Sequence, residues 1–342
     1  MKSDTKIQSR KDEHLDLALQ RRHQSKDSTA IDAVLFEHNA LPELAITDVD
    51  TSTNFLQQTL SAPIIIGAMT GGTSQGESIN RHLAEAAEAC NIPLAVGSQR
   101  ASLSNSLSAD LRRFAPNGLL LGNLGGTQLQ QGGIDLARRA IDAIEADGLF
   151  IHLNPLQELI QPSGDRNWRM VLEAISDIAS RLEIPVLVKE VGAGLSPNVV
   201  SELLKAGVSA VDLAGRGGTN WASIELARNK TRLEQEIATP FLNWGMDTIQ
   251  LLPRVRALHP DSTLIASGGI RDGLDAARFI RLGASMVSLA HYFLSAATIS
   301  TEAVVERIYV LNEQLRWTMF LTGSSDLSTL RKAPLMSPSP HG

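Results

Sequence analysis

The stretch Gly148-Leu149-Phe150-Ile151-His152-Leu153-Asn154-Pro155-Leu156-Gln157-Glu158 decides how the rest of this chain reads. An apolar run from Gly148 to Ile151 has the pattern of a strand buried on both faces, as strands of parallel sheets are. It empties directly into an imidazole, two carboxamides and a carboxylate. Strand-to-helix loops at one end of a closed α/β barrel carry this kind of polar chemistry, whereas a solvated surface loop would carry more Lys, Ser or Gly.

The same alternation extends in both directions. Short apolar runs recur at Pro63–Ala68, Pro93–Gly97, Gly118–Gly122, Leu149–Leu153, Pro185–Lys189, Ala210–Ala214, Thr263–Ser267 and Met286–Ala290. Pro63, Pro93 and Pro185 each open a run, a position where proline is tolerated in a strand while it ends the preceding helix. Amphipathic stretches such as Asp165–Leu182 and Asp272–Leu282 lie between them and predict helices. Eight strand-helix units predict an α/β fold, a (β/α)8 TIM barrel over 62–322. An open doubly wound sheet would concentrate its glycine fingerprint at the first strand turn, and here the glycine-rich turns are spread along the chain. Residues 1–61 read as an N-terminal extension with a helix over Asp12–Arg22, 302–321 as a last helix on the barrel, and 323–342 as a flexible tail.

Composition limits the partners. The 342 residues are 43% hydrophobic and only 4% aromatic, so the core is built from Leu, Ile, Val and Ala. A net charge of -6 argues against a nucleic-acid or anionic-membrane partner held by bulk electrostatics, so any anionic ligand needs a local basic cluster. The single Cys90 fits a reduced, cytoplasmic protein, and no apolar run approaches membrane length.

Nearly every predicted strand ends in an unusual turn. Gly217-Gly218-Thr219 and Gly268-Gly269-Ile270-Arg271 follow strands six and seven and let backbone N–H groups approach a phosphate, with Arg271 adding positive charge. Met69, Thr70, Ser98 and Asn123 stand where they would line a planar heterocycle, so a phosphorylated planar cofactor such as FMN would span the face. Lys189 closes the run Val186-Leu187-Val188 and reads either as a cation beside that cofactor or as a Schiff-base nucleophile. Trp221 offers a π face to a cationic centre. Arg10-Lys11-Asp12-Glu13-His14 in the extension reads on its own as a solvated charge run, and together with Arg100 as a lid expected to close over a second anion.

Taken together, Arg10-Lys11-Asp12-Glu13-His14-Leu15, Gly67-Ala68-Met69-Thr70-Gly71-Gly72, Gly97-Ser98-Gln99-Arg100, the His152–Glu158 segment, Val188-Lys189-Glu190-Val191-Gly192, Gly217-Gly218-Thr219 and Asn243-Trp244-Gly245 resemble the type 2 isopentenyl-diphosphate isomerases. The resemblance spans Arg10 to about His291. It implies a cytoplasmic homo-oligomer (tetramer or octamer) acting on an isoprenoid diphosphate with reduced FMN, Mg2+ and NADPH as reductant. Arg10, Lys11, His14, Ser98, Gln99, Arg100 and Gln157 would contact the substrate, and Glu158 would hold Mg2+. Gln157, His152, Asn154 and Trp221 would serve the chemistry. FMN would touch Ala68, Met69, Thr70, Gly71, Ser98, Asn123, Lys189, Ala214, Thr219, Gly269, Ile270, Arg271, Ala290 and His291. Ala214 and His291-Tyr292 depart from the family pattern, so contacts there are expected from backbone only. An FMN-dependent 2-hydroxy-acid oxidase is the enzymatic rival, but its His-Gly-x-Arg-Gln segment is missing. A non-catalytic flavin binder would need neither Gln157 nor Glu158.

Overall fold

The computed structural model describes Glu13, Leu17 and residues 29–69, 74–105, 111–228 and 231–336. Arg10, Lys11, His14, Thr70 and Gly71 lie outside the described residues. So does the predicted helix over 12–22, apart from Glu13 and Leu17, which are helical.

Eight parallel strands close into a barrel in the order β10-β3-β4-β5-β6-β7-β8-β9. The strands are β3 (Ile64–Ile66), β4 (Leu94–Ala95), β5 (Leu120–Gly125), β6 (Gly148–His152), β7 (Val186–Lys189), β8 (Ala210–Asp212), β9 (Thr263–Ser267) and β10 (Met286–Leu289). Each falls on or against a predicted run. Ile65, Ala95, Leu121, Phe150, Leu187, Ile265 and Met286 point inward and form one buried cluster. The outward residues, such as Ile64, Leu124, Val188 and Leu264, join the larger core beneath the helices. This double burial is why the strands read as unbroken apolar runs.

A two-stranded hairpin, β1 (Thr53–Phe55) and β2 (Gln58–Leu60), was not legible in the sequence. Its Phe55 and Leu60 are buried against the inward barrel cluster and plug the N-terminal end. Burying two such side chains contributes about 3 to 6 kcal/mol. The plug leaves the opposite end of the barrel as the open one.

Two boundaries differ from expectation. The helix predicted from Asp165 begins at Val171, after Met170 in the left-handed region at φ 61°, because 165–170 instead form a loop fastened to the barrel mouth. The predicted tail is packed as far as Met336, with Leu327, Leu330 and Ala333 buried. The Arg281 guanidinium donates to the Ala333 carbonyl, and Glu37 N–H donates to Pro334 at 3.0 Å. Tail and extension therefore brace each other along the helix Gly273–Arg281. The last helix runs Thr301–Leu321, one residue longer than predicted.

Candidate active site

The C-terminal ends of the barrel strands surround a cavity of about 690 Å3, within the range of small-molecule and cofactor sites. Parallel pairing sets its floor. Cα register aligns Gly125 with His152, His152 with Lys189, and Lys189 with Asp212, so these residues form one rung across β5, β6, β7 and β8.

Asp212 ends β8 and is almost completely buried. It accepts from Ser267 Oγ at 2.7 Å and from the Ala214 N–H at 3.2 Å. Burial raises its pKa to about 6, opposed chiefly by the charge of Lys189. Burial likewise lowers the pKa of Lys189, opposed by Asp212 and Glu190. The two opposite charges stabilise each other in the barrel mouth. Lys189 donates to the Glu190 carbonyl at 2.8 Å and lines the cavity. Glu190 Oε2 accepts four successive backbone N–H groups from Val191 to Gly194, which fixes the loop after β7. Burial still pushes the Glu190 carboxyl up against those bonds.

The glycine loops form a cradle. Gly217, Gly268 and Gly269 have φ values of 130°, 95° and 86°, a region L side chains rarely adopt. A Cβ on Gly269 would stand 2.4 Å from the Gly217 carbonyl oxygen, and one on Gly217 would stand 2.8 Å from that of Gly268. The loops after β8 and β9 thus lie backbone against backbone at the cavity wall, and the second of them follows the seventh barrel strand, whose loop binds phosphate in many barrel enzymes. Ala68, Met69, Ser98, Thr219, Ile270, Ala290 and His291 line the same cavity, as does Ala214, whose φ is 39°. Gly269→Ala is expected to cost about 1–3 kcal/mol of stability through strain and backbone clash, and to lose bound flavin. Thermal melting together with the flavin absorbance of the purified variant checks both; an unchanged melt and full yellow colour would contradict the cradle.

Arg271 lines this wall, but its charge is committed. It reaches Asp275 at 2.7 Å and also Asp32, whose carboxyl it holds below the usual range. Arg278 completes the cluster at 2.8 Å from Asp275 and 3.3 Å from Asp32. Two cations face two carboxylates, so the cationic role expected of Arg271 toward a phosphate is reduced to geometry.

Opposite the cradle, the helix Pro155–Ile160 starts at Asn154 and presents Gln157 and Glu158. Asn154 Nδ2 donates to Gln157 Oε1 and Glu158 Oε1, both at 3.1 Å. Glu158 Oε2 also accepts the Asp165 N–H at 2.8 Å, which is what holds 165–170 out of a helix. Gln157 Nε2 donates to Glu225 Oε1 at 3.1 Å. Glu225, on the helix Trp221–Ala227, is fully buried and paired with Arg228 at 2.9 Å. Arg228 in turn meets Glu13 of the extension at 2.9 Å. Gln157 is thus oriented from both ends, because its oxygen accepts while its nitrogen donates.

His152 Nδ1 lies 2.9 Å from Asn123 Oδ1. Asn123 Nδ2 is used on the Val96 carbonyl at 3.0 Å, which turns its Oδ1 to the imidazole and makes Nδ1 the donor. Trp221 and Arg100 complete the wall, Arg100 lying 3.5 Å from Asp165. Gln99 is a correction. It is buried away from the cavity, accepting the Asn123 N–H at 2.9 Å and donating to the Ala140 carbonyl at 2.8 Å. In the Ser98-Gln99-Arg100 motif its side chain holds Asn123 and does not line the cavity. Asp212, Ser267 and Glu225 were missed by the sequence reading; the only sign was an acid inside an apolar run, Ala210-Val211-Asp212-Leu213 and Ile224-Glu225-Leu226.

The comparisons agree with this geometry. Residues 153–337 match the FMN-dependent dehydrogenase family. A mandelate oxidase variant carrying an FMN adduct superposes with a TM-score of 0.68 at 17% identity, covering 95% of each chain. A Pediococcus acidilactici protein described as a lactate oxidase gives 0.70 at 16% identity over 92% of this chain and 88% of its own. At such identities the likeness establishes the barrel alone. Full-length relatives are much nearer. An isopentenyl-diphosphate delta-isomerase of Stutzerimonas stutzeri is 50% identical over 96% of both chains, and one of Xanthobacter autotrophicus is 51% identical over 95% of this chain and 96% of its own. The Rickettsia prowazekii isomerase is 42% identical over 96% of this chain and 97% of its own. With an FMN-type barrel, a glycine cradle and Gln157 and Glu158 facing one cavity, this chain belongs to the FMN-dependent isopentenyl-diphosphate delta-isomerase family.

Proposed function

We propose that this protein interconverts isopentenyl and dimethylallyl diphosphate, using reduced FMN and Mg2+, in isoprenoid biosynthesis. The observation that carries the reading is the placement of Gln157 and Glu158 across one cavity from the glycine cradle. Moving a double bond by one carbon requires a proton delivered at one carbon and another removed nearby, with no net oxidation. A positioned side-chain acid contributes about 10²- to 10⁴-fold, and enzymes typically supply more than that. Carboxamides are too weak for the task. When bound, reduced FMN supplies an electron-rich ring with a nitrogen able to give and take a proton.

The residues of the chain divide the remaining work. The cradle fits a phosphate because its backbone approaches without side chains. Lys189 lines the floor, where its cation would stabilise negative charge on a bound ring. Gln157, fixed by Asn154 and Glu225, orients the alkene or relays through water. His152 shapes the site from its Asn123 anchor, and Trp221 offers its face to developing positive charge. Ser98 and Arg100, with Arg10, Lys11 and His14 of the extension, would receive the diphosphate. The Glu13–Arg228 pair supports seating that arm at the mouth as a lid.

Glu158 is the residue that would hold Mg2+. Among the described residues no group of three His, Cys, Asp or Glu could bind a metal, and Mg2+ at a diphosphate needs only one or two carboxylates because it keeps its waters. Glu158→Gln is therefore expected to raise the Mg2+ concentration for half-maximal activity by about tenfold or more and to weaken substrate binding. Titrating activity against Mg2+ in both proteins checks it. Superimposable curves would leave Glu158 as an acid at a helix start, whose dipole interaction is a few tenths of a kcal/mol.

NADPH as the reductant, a cytoplasmic location and homo-oligomerisation belong to the same proposal. Exposed Leu233, Ile237, Phe241 and Trp244 support self-association. Among the described residues no helix is long and apolar enough to cross a membrane. Proton NMR of isopentenyl diphosphate incubated with the protein, FMN, dithionite and Mg2+ tests the activity. Appearance of the dimethylallyl product supports it, and unchanged substrate overturns it.

A further inference from the structure

The cradle raises a question of charge. A flavin phosphate carries up to two negative charges, and Arg271, the cation beside the glycines, is already neutralised by Asp275 and Asp32. Lys189 is held at the floor by its Glu190 bond and by the charge of Asp212, at the end of β7 and not on the loops after β9 and β10. Arg100 belongs to the opposite wall, beside Asp165. A further cation lines the same cavity. Arg307, on the first third of the helix Thr301–Leu321, sits with its guanidinium carbon 4.0 Å from the centre of the Tyr292 ring. Among the described residues, no carboxylate lies within ion-pair distance of it.

Its location follows from packing. One turn after Arg307, Leu311 and then Gln314 and Leu315 press on Gly273, where an added Cβ would meet the Leu311 carbonyl oxygen at 2.3 Å. Gln314 Oε1 accepts the Gly273 N–H at 2.9 Å. The helix is thereby clamped beside the loop Gly268–Asp272. Tyr292 follows β10 and donates its hydroxyl to the Arg307 carbonyl at 3.3 Å, so ring and helix are joined at two points. Loops after the seventh and eighth barrel strands are where this fold binds phosphate, and these are the loops after β9 and β10.

We propose that Arg307, supported on the Tyr292 ring, is the cation that binds the phosphate end of the cofactor. The proposal rests on the FMN reading above. It gives the His291-Tyr292 departure a purpose: Tyr292 is the platform that aims the arginine. The guanidinium suits the task because its flat fork donates in pairs to phosphate oxygens while its face stays on the ring. Arg307 is exposed, and solvent screening keeps its effect modest.

The test compares two ligands that differ only in the phosphate. Binding of FMN and of riboflavin to apoprotein is measured by quenching of flavin fluorescence, for the parent, Arg307→Gln, Arg307→Lys and Tyr292→Leu. Arg307→Gln is expected to weaken FMN about tenfold while leaving riboflavin unchanged. Arg307→Lys should recover only part of the loss, because it keeps the charge without the paired donors, and Tyr292→Leu should give part of the loss. In the parent, FMN affinity should fall with added salt more steeply than in Arg307→Gln. Equal loss of both flavins in Arg307→Gln, or no loss of FMN, overturns the role of Arg307 alone. A parent that binds neither flavin overturns the FMN reading and this inference with it.

Discussion

Turnover of the Gln157→Leu variant is expected to fall by about 10²- to 10⁴-fold, the range for losing a positioned proton-transfer group, while the protein retains its flavin. The split follows from geometry. Gln157 stands on the helix after β6, with its amide held by Asn154 at 3.1 Å and Glu225 at 3.1 Å, and it forms no part of the glycine cradle across the cavity. Leucine has a similar size, so packing survives. Glu225, fully buried, loses one donor but keeps Arg228 at 2.9 Å, which limits the cost to stability. Steady-state kinetics with a flavin absorbance spectrum of each preparation checks the prediction. Equal loss of FMN and activity would reassign Gln157 to cofactor binding or folding.

The barrel was legible because its strands are buried on both faces. Ile64-Ile65-Ile66 and Leu149-Phe150-Ile151 contribute alternately to the inward cluster and the outer core, so neither face needs polar residues. Proline at Pro63, Pro93 and Pro185 marked where helices stop. The hairpin at 53–60 was hard to read because only Phe55 and Leu60 of it are fully buried against the barrel, with Leu56 partly so. Its turn places Leu56 and Gln57 at φ 47° and 65° without the glycine or asparagine that usually announces such a conformation. The helix expected from Asp165 starts later for a tertiary reason: the Asp165 N–H is drawn to Glu158.

At the site, motifs located the residues but not their partners. Gln99 sits between two residues that line the cavity, yet its side chain turns inward to the Ala140 carbonyl, a contact from another helix. Arg271 was expected to meet a phosphate. It lines the cavity with its charge shared by Asp32, far away in sequence, and by Asp275. Asp212 faces Lys189 only because β7 and β8 pair in register. The Gln99–Ala140, Arg271–Asp32 and Lys189–Asp212 pairings join segments distant in sequence, and no local pattern encodes them.

The second large effect is a redox requirement in a reaction with no net redox change. Among the described residues, the groups that line the cavity opposite the cradle include Gln157, Asn154 and His152, and the carboxamides are too weak to protonate an unactivated alkene. Glu190 and Glu225 are locked by N–H and guanidinium donors, and Asp212 by Ser267 and Lys189. His152 and Glu158 at the same mouth are likewise engaged, the first by Asn123 and the second by Asn154 and the Asp165 N–H, which is why the proton transfer is assigned to the reduced ring. The oxidised ring lacks the proton that the reduced ring carries, so activity is expected to drop by orders of magnitude when the flavin is oxidised. The most direct measurement follows conversion of isopentenyl diphosphate by the FMN-loaded protein with Mg2+, first aerobically without reductant and then anaerobically with dithionite or NADPH. The account predicts product only in the reduced samples; full and equal rates in both would contradict it.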